Sequence, residues 1–258
     1  MTDVEPPEDL VKLDRNDTVV ILTLNNPKRM NAFSAQMRQQ FHDHLVELAG
    51  DASCRAIILT GAGGNLCTGG DISTMQRREL LERRASMDIT TRVFRLIIGH
   101  PKPIICAAEG NVMGVGVSMV AACDYAVASR DAQFRCAFIK MGLIPDLGGI
   151  WSLPRKIGYR KAMELCALAE LVDAESAQRI QLVNEVSEPG GALGRALEVA
   201  RKFAAAPPTA MAMLKSALNI GSESIDRAVS TENDYQALLQ TTDDHLAAVE
   251  RFKSRKKE

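Results

Sequence analysis

From residue 18 to residue 129 the chain alternates between two hydrophobic rhythms. Four short aliphatic runs, 18-TVVILTLN-25, 55-RAIILT-60, 104-IICAAE-109 and 124-DYAVAS-129, read as strands, the middle two as buried ones. Between the first two, Met37, Phe41, Leu45 and Leu48 recur at helical spacing over 35–49, and the loop 26-NPKRMNAFS-34 ends in a serine placed to cap that helix. A polar stretch over roughly 73–100 reads as a helix stopped by Pro101 and Pro103, and a further helix is expected near 117–123. This alternation predicts βαβ units in a largely parallel sheet with helices around it. After about residue 148 strand signals fade, and helical patterns occupy about 148–156, 159–169, 174–181, 192–205, 209–221, 223–240 and 242–253. A shift in composition near residue 195 divides the chain into an α/β core, 1–195, and a helical C-terminal subdomain, 196–258, with no flexible linker or internal repeat.

Two glycine-rich loops, 61-GAGGNLCTGGD-71 and 110-GNVMGVG-116, each follow a strand and precede a helix. Backbone N–H groups are left free at such places, at the sheet edge where open α/β folds bind ligands, and they can cradle a phosphate or a developing oxyanion. A tight turn is the plainer alternative for each loop. Neither fits G-x-G-x-x-G, since Leu66 and Met119 break the pattern, and no G-K-[ST] occurs. No G-x-S-x-G elbow is present, so Ser118 reads as a satisfied helix-start hydroxyl rather than a nucleophile. Cys67 lies near the free amides without an evident histidine to activate it and receives no role. Asp146, in 142-GLIPDLGG-149, has two readings. It caps a helix starting near Leu147, or it moves a proton in a dry pocket between the apolar runs 138–144 and 150–153.

Composition narrows the classes. With 258 residues, 46% hydrophobic, 24% charged and a net charge of −1, the chain can bury a sizeable core and advertises no polyanionic partner. Its basic end, 251-RFKSRKKE-258, reads as a solvated helix end rather than a nucleic-acid arm. Six cysteines, at 54, 67, 106, 123, 136 and 166, are scattered singly, as expected of reduced thiols in the cytoplasm rather than disulfides or a zinc site. The four histidines show no ligand spacing. The polar N-terminus does not read as a signal peptide, and no apolar run is long enough to span a bilayer.

In order along the chain, 25-NNPKRMNAFS-34, 56-AIILTGAGGNLCTGGDIS-73, 102-KPIICAAEGNVMGVG-116, 123-CDYAVAS-129 and 132-AQFRCAFIKMGLIPDLGG-149 resemble the crotonase, or enoyl-CoA hydratase/isomerase, superfamily from Val19 to about Lys257. The resemblance implies an α/β fold with a spiral core of ββα units and a helical C-terminal subdomain. It also implies an acyl-CoA thioester substrate, no separate cofactor because coenzyme A belongs to the substrate, and a homotrimer or homohexamer. Carried over by motif, the N–H groups of Gly70 and Val115 would form the oxyanion hole, with Thr68, Gly69, Asp71, Ile72 and Gly114 around them. Val115 stands where the family usually has Gly or Ala; only an amide is needed there, and the side chain would narrow the acyl pocket. Lys28, Arg29, Asn31 and Ala32 would embrace the nucleotide and pantetheine, and Phe252, Arg255 and Lys256 would cover it. Lys28 and Arg29 read equally as an exposed loop pair.

Family hydratases use two glutamates. Their positions here hold Ser118 and Phe138, neither able to exchange a proton, so ordinary hydration is not expected. Asp146 stands where a subset of family isomerases carries its acid, in a run resembling that of phenylacetate-pathway isomerases. Shifting a double bond needs one group that removes a proton and returns it elsewhere. Burial among Phe138, Leu143, Ile144 and Leu147 would raise its pKa and make it a better base. Asp71 is expected to hold the oxyanion loop through local N–H bonds and Asp124 to fix a turn; Glu109, where relatives have Asn, is open between a structural and a pocket role. The expectation is an enoyl-CoA isomerase, with a hydratase and a non-catalytic acyl-CoA-binding homologue as alternatives.

Overall fold

The computed structural model of the protein describes residues 9–74, 79–220 and 224–255. Its strands are β1 (Val11–Asn16), β2 (Val19–Leu24), β3 (Ala56–Gly61), β4 (Ile104–Ala108), β5 (Asn111–Met113), β6 (Tyr125–Ser129), β7 (Gln133–Arg135), β8 (Val172–Asp173) and β9 (Glu185–Ser187). Its helices are α1 (Ala35–Gly50), α2 (Leu80–Ser86), α3 (Asp88–Gly99), α4 (Val115–Ala122), α5 (Gly149–Leu168), α6 (Ala174–Arg179), α7 (Ala192–Ala204), α8 (Pro208–Ile220), α9 (Ile225–Leu239) and α10 (Asp243–Arg255).

One sheet runs β1-β2-β3-β4-β6-β9 and a smaller one β5-β7-β8. In the large sheet only β1 pairs antiparallel, with Val11 opposite Leu24; β2 through β9 are parallel, with Ile57 opposite Ile104 and Cys106 opposite Ala126. Successive side chains point to opposite faces, and both faces are covered. Val20, Leu22, Leu24, Ile57, Leu59, Ile104 and Cys106 pack with the buried stripes of α1 and α3, whereas Val19, Ala56, Ile58, Ile105 and Val127 pack against Ala192, Ala196, Val199 and Ala200 of α7. A parallel sheet buried on two sides needs continuous apolar strands, and this is why 56–60 is apolar without alternation.

Helix α1 buries Met37, Phe41, Leu45 and Leu48, and Ser34 caps it by accepting the Met37 N–H at 3.2 Å, as expected. Several expectations need correcting. The polar stretch 73–100 is not one helix: α2 and α3 meet at Met87. Strands continue past 148 as β8 and β9, both too short to leave a periodic signal. β1 was not anticipated because its VKLDRN sequence suits an exposed edge. Helix α5 spans the two expected helices and breaks at Gly158, which has φ 74° and ψ 157°. The expected division at 195 falls inside α7.

Candidate functional site

The two glycine-rich loops lie side by side. Cys67 N–H donates to Asn111 O at 3.2 Å and Met113 N–H to Cys67 O at 2.8 Å. On the other flank Thr68 N–H donates to Met30 O at 3.1 Å and Phe33 N–H to Gly69 O at 2.8 Å, with Phe33 bridged to Gly70. Contact between the loops is tightest at Gly116, where a Cβ would lie 2.7 Å from Cys67 O; one on Gly114 would be in ordinary contact, 3.5 Å from Gly69 Cα. Gly114 also has φ 52°, in the left-handed region that side chains disfavour. Val115 opens α4, so its N–H belongs to the unpaired first turn. Among the described residues, neither it nor Gly70 N–H donates to a backbone carbonyl of the surrounding loops. Val115 itself is packed into the core.

Asp146 sits on a strained turn. Leu147 has φ 47° and Gly148 φ 70°, and a left-handed non-glycine residue costs about 1–3 kcal/mol unless its surroundings hold it there. They do: Leu147 is buried, and Gly148 abuts Phe94 so closely that a Cβ would lie 2.1 Å from the ring. Helix α5 begins at Gly149, with Gly148 as N-cap and no side-chain cap, so the capping reading of Asp146 fails. Its main-chain oxygen serves the turn, accepting Gly149 N–H at 2.9 Å. Its carboxylate Oδ1 is buried with no partner. That burial lifts the carboxyl above its ordinary pKa, while the Arg38 charge pulls the other way. The walls expected around it are partly wrong: Leu143 is 45% and Ile144 68% exposed, and Ile150 is also on the surface. An irregular turn gives apolar residues no fixed side, so counting them mispredicted their burial. Burial of the turn comes instead from Leu147, from Phe94 against Gly148, and from Ser118, whose Oγ lies 2.6 Å from where a Gly149 Cβ would be.

The other expected site residues divide. Asp71 Oδ1 accepts from Ser73 N–H at 3.0 Å and from Ser73 Oγ, and the carboxylate pairs with Arg29 at 3.2 Å. Thr68 Oγ donates to Met30 O at 3.1 Å. These contacts tie the 28–32 loop to the Gly70 loop. Asn31 is wholly buried, with φ 56°; its Nδ2 donates to Ala62 O and Asn65 O, its Oδ1 accepts Asn26 N–H, and its own N–H donates to Asn26 O at 2.9 Å, so this residue fixes the shape of the 28–32 loop. Ala32 is partly buried, and Lys28 and Ile72 are exposed. The edge of Phe138 comes within 3.9 Å of the Gly114 Cβ position. Ser118, expected to be satisfied, is instead fully buried with an unpaired Oγ. The side chains of Phe252 and Arg255, and Lys256 entirely, lie outside the described residues. Burial pushes the Cys67 thiol up to about 12, so it holds its proton. Glu109 Oε1 accepts Ala192 N–H at the start of α7, which favours the structural role. Asp124 accepts Ile104 N–H at 2.8 Å and Lys215 Nζ at 2.6 Å, joining β4 to α8.

Two residues of the site were not anticipated. Arg38 of α1 lies over the Phe33 ring at 5.6 Å and donates from Nη1 to Thr90 Oγ at 3.1 Å, but its buried Nε has no partner. Thr90 is 1% exposed. The signal was present in part: Thr90, Val93 and Ile97 form the buried stripe of α3, and Arg38 lies at helical spacing from Phe41 and Leu45 of the buried stripe of α1. Buried polar atoms lacking a partner among the described residues are Arg38 Nε, Ser118 Oγ, Arg135 Nε, Asp146 Oδ1 and Ser152 Oγ. Each belongs to an element bordering the paired loops or the Asp146 turn.

A model of the family described as enoyl-CoA hydratase/isomerase matches residues 14–258. The 1,2-epoxyphenylacetyl-CoA isomerase of Escherichia coli K12 is 33% identical over 242 residues, covering 91% of each chain. The short-chain-enoyl-CoA hydratase of Clostridium acetobutylicum is 32% identical over 249 residues, covering 96% of this chain and 95% of that one. Among solved structures, an enoyl-CoA hydratase from Polaromonas sp. JS666 superposes with a TM-score of 0.90 at 31% identity, over 95% of this chain and 97% of the other. Similarity thus runs through the whole α/β core and the C-terminal helices. No helix among the described residues is long and apolar enough to cross a membrane.

Proposed function

We propose, from the premise that the chain belongs to the enoyl-CoA hydratase/isomerase family, that it moves a carbon–carbon double bond within an enoyl-CoA thioester. The observation that carries this reading is the lone carboxylate of Asp146. It is held on a strained turn with one oxygen buried and unpaired, and its pKa is raised by burial. A carboxylate so placed is a stronger base than one in water, and its buried Oδ1 has no hydrogen bond to break before accepting a proton. The thioester oxygen would lie between Gly70 N–H and Val115 N–H, which stabilise the enolate formed as a proton leaves carbon. Each such donor typically contributes about 10²–10³ in rate. Asp146 then returns the proton at the other end of the allyl system, so the carboxylate is regenerated and no cofactor is consumed.

Two further observations support isomerisation over hydration. Ser118 and Phe138 hold the places of the hydratase glutamates, and Glu109 is engaged at the start of α7. The relative named as an isomerase of 1,2-epoxyphenylacetyl-CoA is in keeping with this choice. Lys28, Arg29 and the 31–32 backbone would carry the nucleotide of coenzyme A. Leu214, Leu218, Ile225, Val229, Leu238 and Leu246 of the C-terminal helices are 48–82% exposed, which supports assembly into a homotrimer or homohexamer. The test is direct. Purified protein mixed with a 3-enoyl-CoA should generate the ultraviolet absorbance of the conjugated 2-enoyl thioester. Loss of absorbance from crotonyl-CoA with no activity on the 3-enoyl compound would instead make it a hydratase.

A further inference from the structure

We propose that Arg38 recognises an oxygen atom on the acyl group, so that the pocket prefers enoyl thioesters carrying a neutral hydrogen-bond acceptor over plain hydrocarbon chains of equal length. This rests on the isomerase reading only for where the acyl group lies.

The guanidinium is fixed on two sides, by the Phe33 ring beneath it and by Thr90 Oγ at 3.1 Å. Phe33 is the residue bridged to Gly70, so the ring beneath Arg38 belongs to the residue paired with the one whose amide would hold the thioester oxygen. The charges it feels include those of Asp146 and Asp71, which places it toward the cleft between the Gly70 loop and the Asp146 turn. Asp71 is already engaged by Arg29 and Ser73. Arg38 and Asp146 attract each other, yet the buried Arg38 Nε and Asp146 Oδ1 each lack a hydrogen-bond partner among the described residues.

Buried donors in native structures find partners, and an arginine beside a thioester cleft is a costly way to line a hydrocarbon pocket. An acceptor atom on the substrate removes the mismatch. A neutral oxygen, whether ether, hydroxyl, epoxide or ketone, does so without bringing a second negative charge beside Asp146. A carboxylate would compete with Asp146 for one guanidinium and oppose its ionisation.

The experiment compares a 3-enoyl-CoA with a short series in which an ether oxygen replaces one methylene at successive positions beyond the double bond, and with a chain ending in carboxylate. In the wild-type enzyme at least one ether should exceed the hydrocarbon in kcat/KM by about 10- to 100-fold, the size expected when a buried donor is matched or left bare. Arg38→Met should bring that ratio close to one whatever it does to absolute rates, and Arg38→Gln, which keeps a donor, should retain part of it. Equal turnover of ethers and hydrocarbon by wild type, a preference that survives both substitutions, or an equal loss on all substrates in Arg38→Met would overturn the proposal; the last would mark a purely structural arginine. Preference for the carboxylate would overturn the choice of a neutral acceptor. Should wild type isomerise none of these thioesters, the isomerase reading falls. Dissociation constants of the saturated series, measured by calorimetry, then decide the Arg38 proposal alone: an ether preference supports it and its absence ends it. The wild-type comparison and Arg38→Gln stand even if Arg38→Met does not fold.

Discussion

Two carboxylates, Asp124 and Asp146, each lie partly buried beside a cation from a distant helix, and their surroundings differ in one respect. Around Asp124 the polar atoms are matched: its Oδ2 takes Ile104 N–H and Lys215 Nζ, and Lys215 also donates to Ile97 O and Lys102 O. Around Asp146 they are not, and the unpaired buried atoms of the described chain border that region. A satisfied buried network holds elements together, here β4, α3 and α8; an unsatisfied one is tolerated where a ligand completes it. On the proposed function the first region answers for the fold and the second for the chemistry, and they should respond to mutation in opposite ways.

The largest effect expected is on turnover. Asp146→Asn should lower kcat by about 10²–10⁴, the usual contribution of a positioned base, followed by conversion of a 3-enoyl-CoA. The same change should raise Tm at neutral pH. Because folding raises the Asp146 pKa, the stabilisation attached to this group is present at pH below the unfolded value and lost as pH rises through the folded one. At neutral pH its ionised form therefore weakens the fold, and the Tm gain of the asparagine variant should vanish in acid. Lys215→Met is the mirror image. It leaves Asp124 without its cation and should cost roughly 3 kcal/mol, the low end for breaking a buried pair because Asp124 keeps a quarter of its side chain exposed. Denaturant unfolding measures this, and kcat per folded molecule should not change. Gly116→Ala would push a Cβ to 2.7 Å from Cys67 O, so the Gly70 loop must move away from α4. Misplacing one oxyanion donor should lower kcat about 10- to 100-fold, and full activity in this variant would mean that the spacing of the two amides does not matter. Finally, the acid limb of kcat/KM should lie above the ordinary aspartate range, and Arg38→Met, which removes the opposing charge, should shift it further upward.

Much of the fold could be read from periodicity because its elements obey a period. The 56–60 run, the α1 stripe and the α7 face are each repeated enough to be unmistakable, whereas β8, two residues long, and β9, three, are held by neighbours rather than by their own sequence. The loops of the site were legible through glycine: close approach at Gly116 and positive φ at Gly114 require it. The walls of the Asp146 pocket were not, because Leu143 and Ile144 sit in a turn whose path is set by the left-handed pair Leu147–Gly148, and nothing local fixes which way their side chains face. Arg38 was missed for a different reason. A charge on an apolar stripe reads as the edge of that stripe, and only the position of Phe33, Thr90 and Asp146 in space shows that it is inside. The expectation that Ser118 would be satisfied failed likewise, since the helix-start position suggests a bond that the packing of Gly149 against it does not provide.

Ser118 offers the smallest effect and the sharpest form of the comparison. Ser118 and Ser129 are both fully buried. Ser129 Oγ donates to Asp131 and accepts Gly190 N–H at 3.0 Å, so Ser129→Ala removes two bonds and leaves their partners bare, a loss of about 1 kcal/mol. Ser118 Oγ has no partner among the described residues, so Ser118→Ala removes a polar atom that folding has already stripped of water, and should gain up to about 1 kcal/mol. The chemistry of the two substitutions is the same, and only the state of the hydroxyl differs. Opposite signs in paired unfolding curves would show that the region around Asp146 carries its mismatch at a cost to stability. If both serines proved destabilising to remove, Ser118 would have to be bonded by a fixed water in the cleft, and the contrast between the two regions would then rest on Asp146 and Arg38 alone.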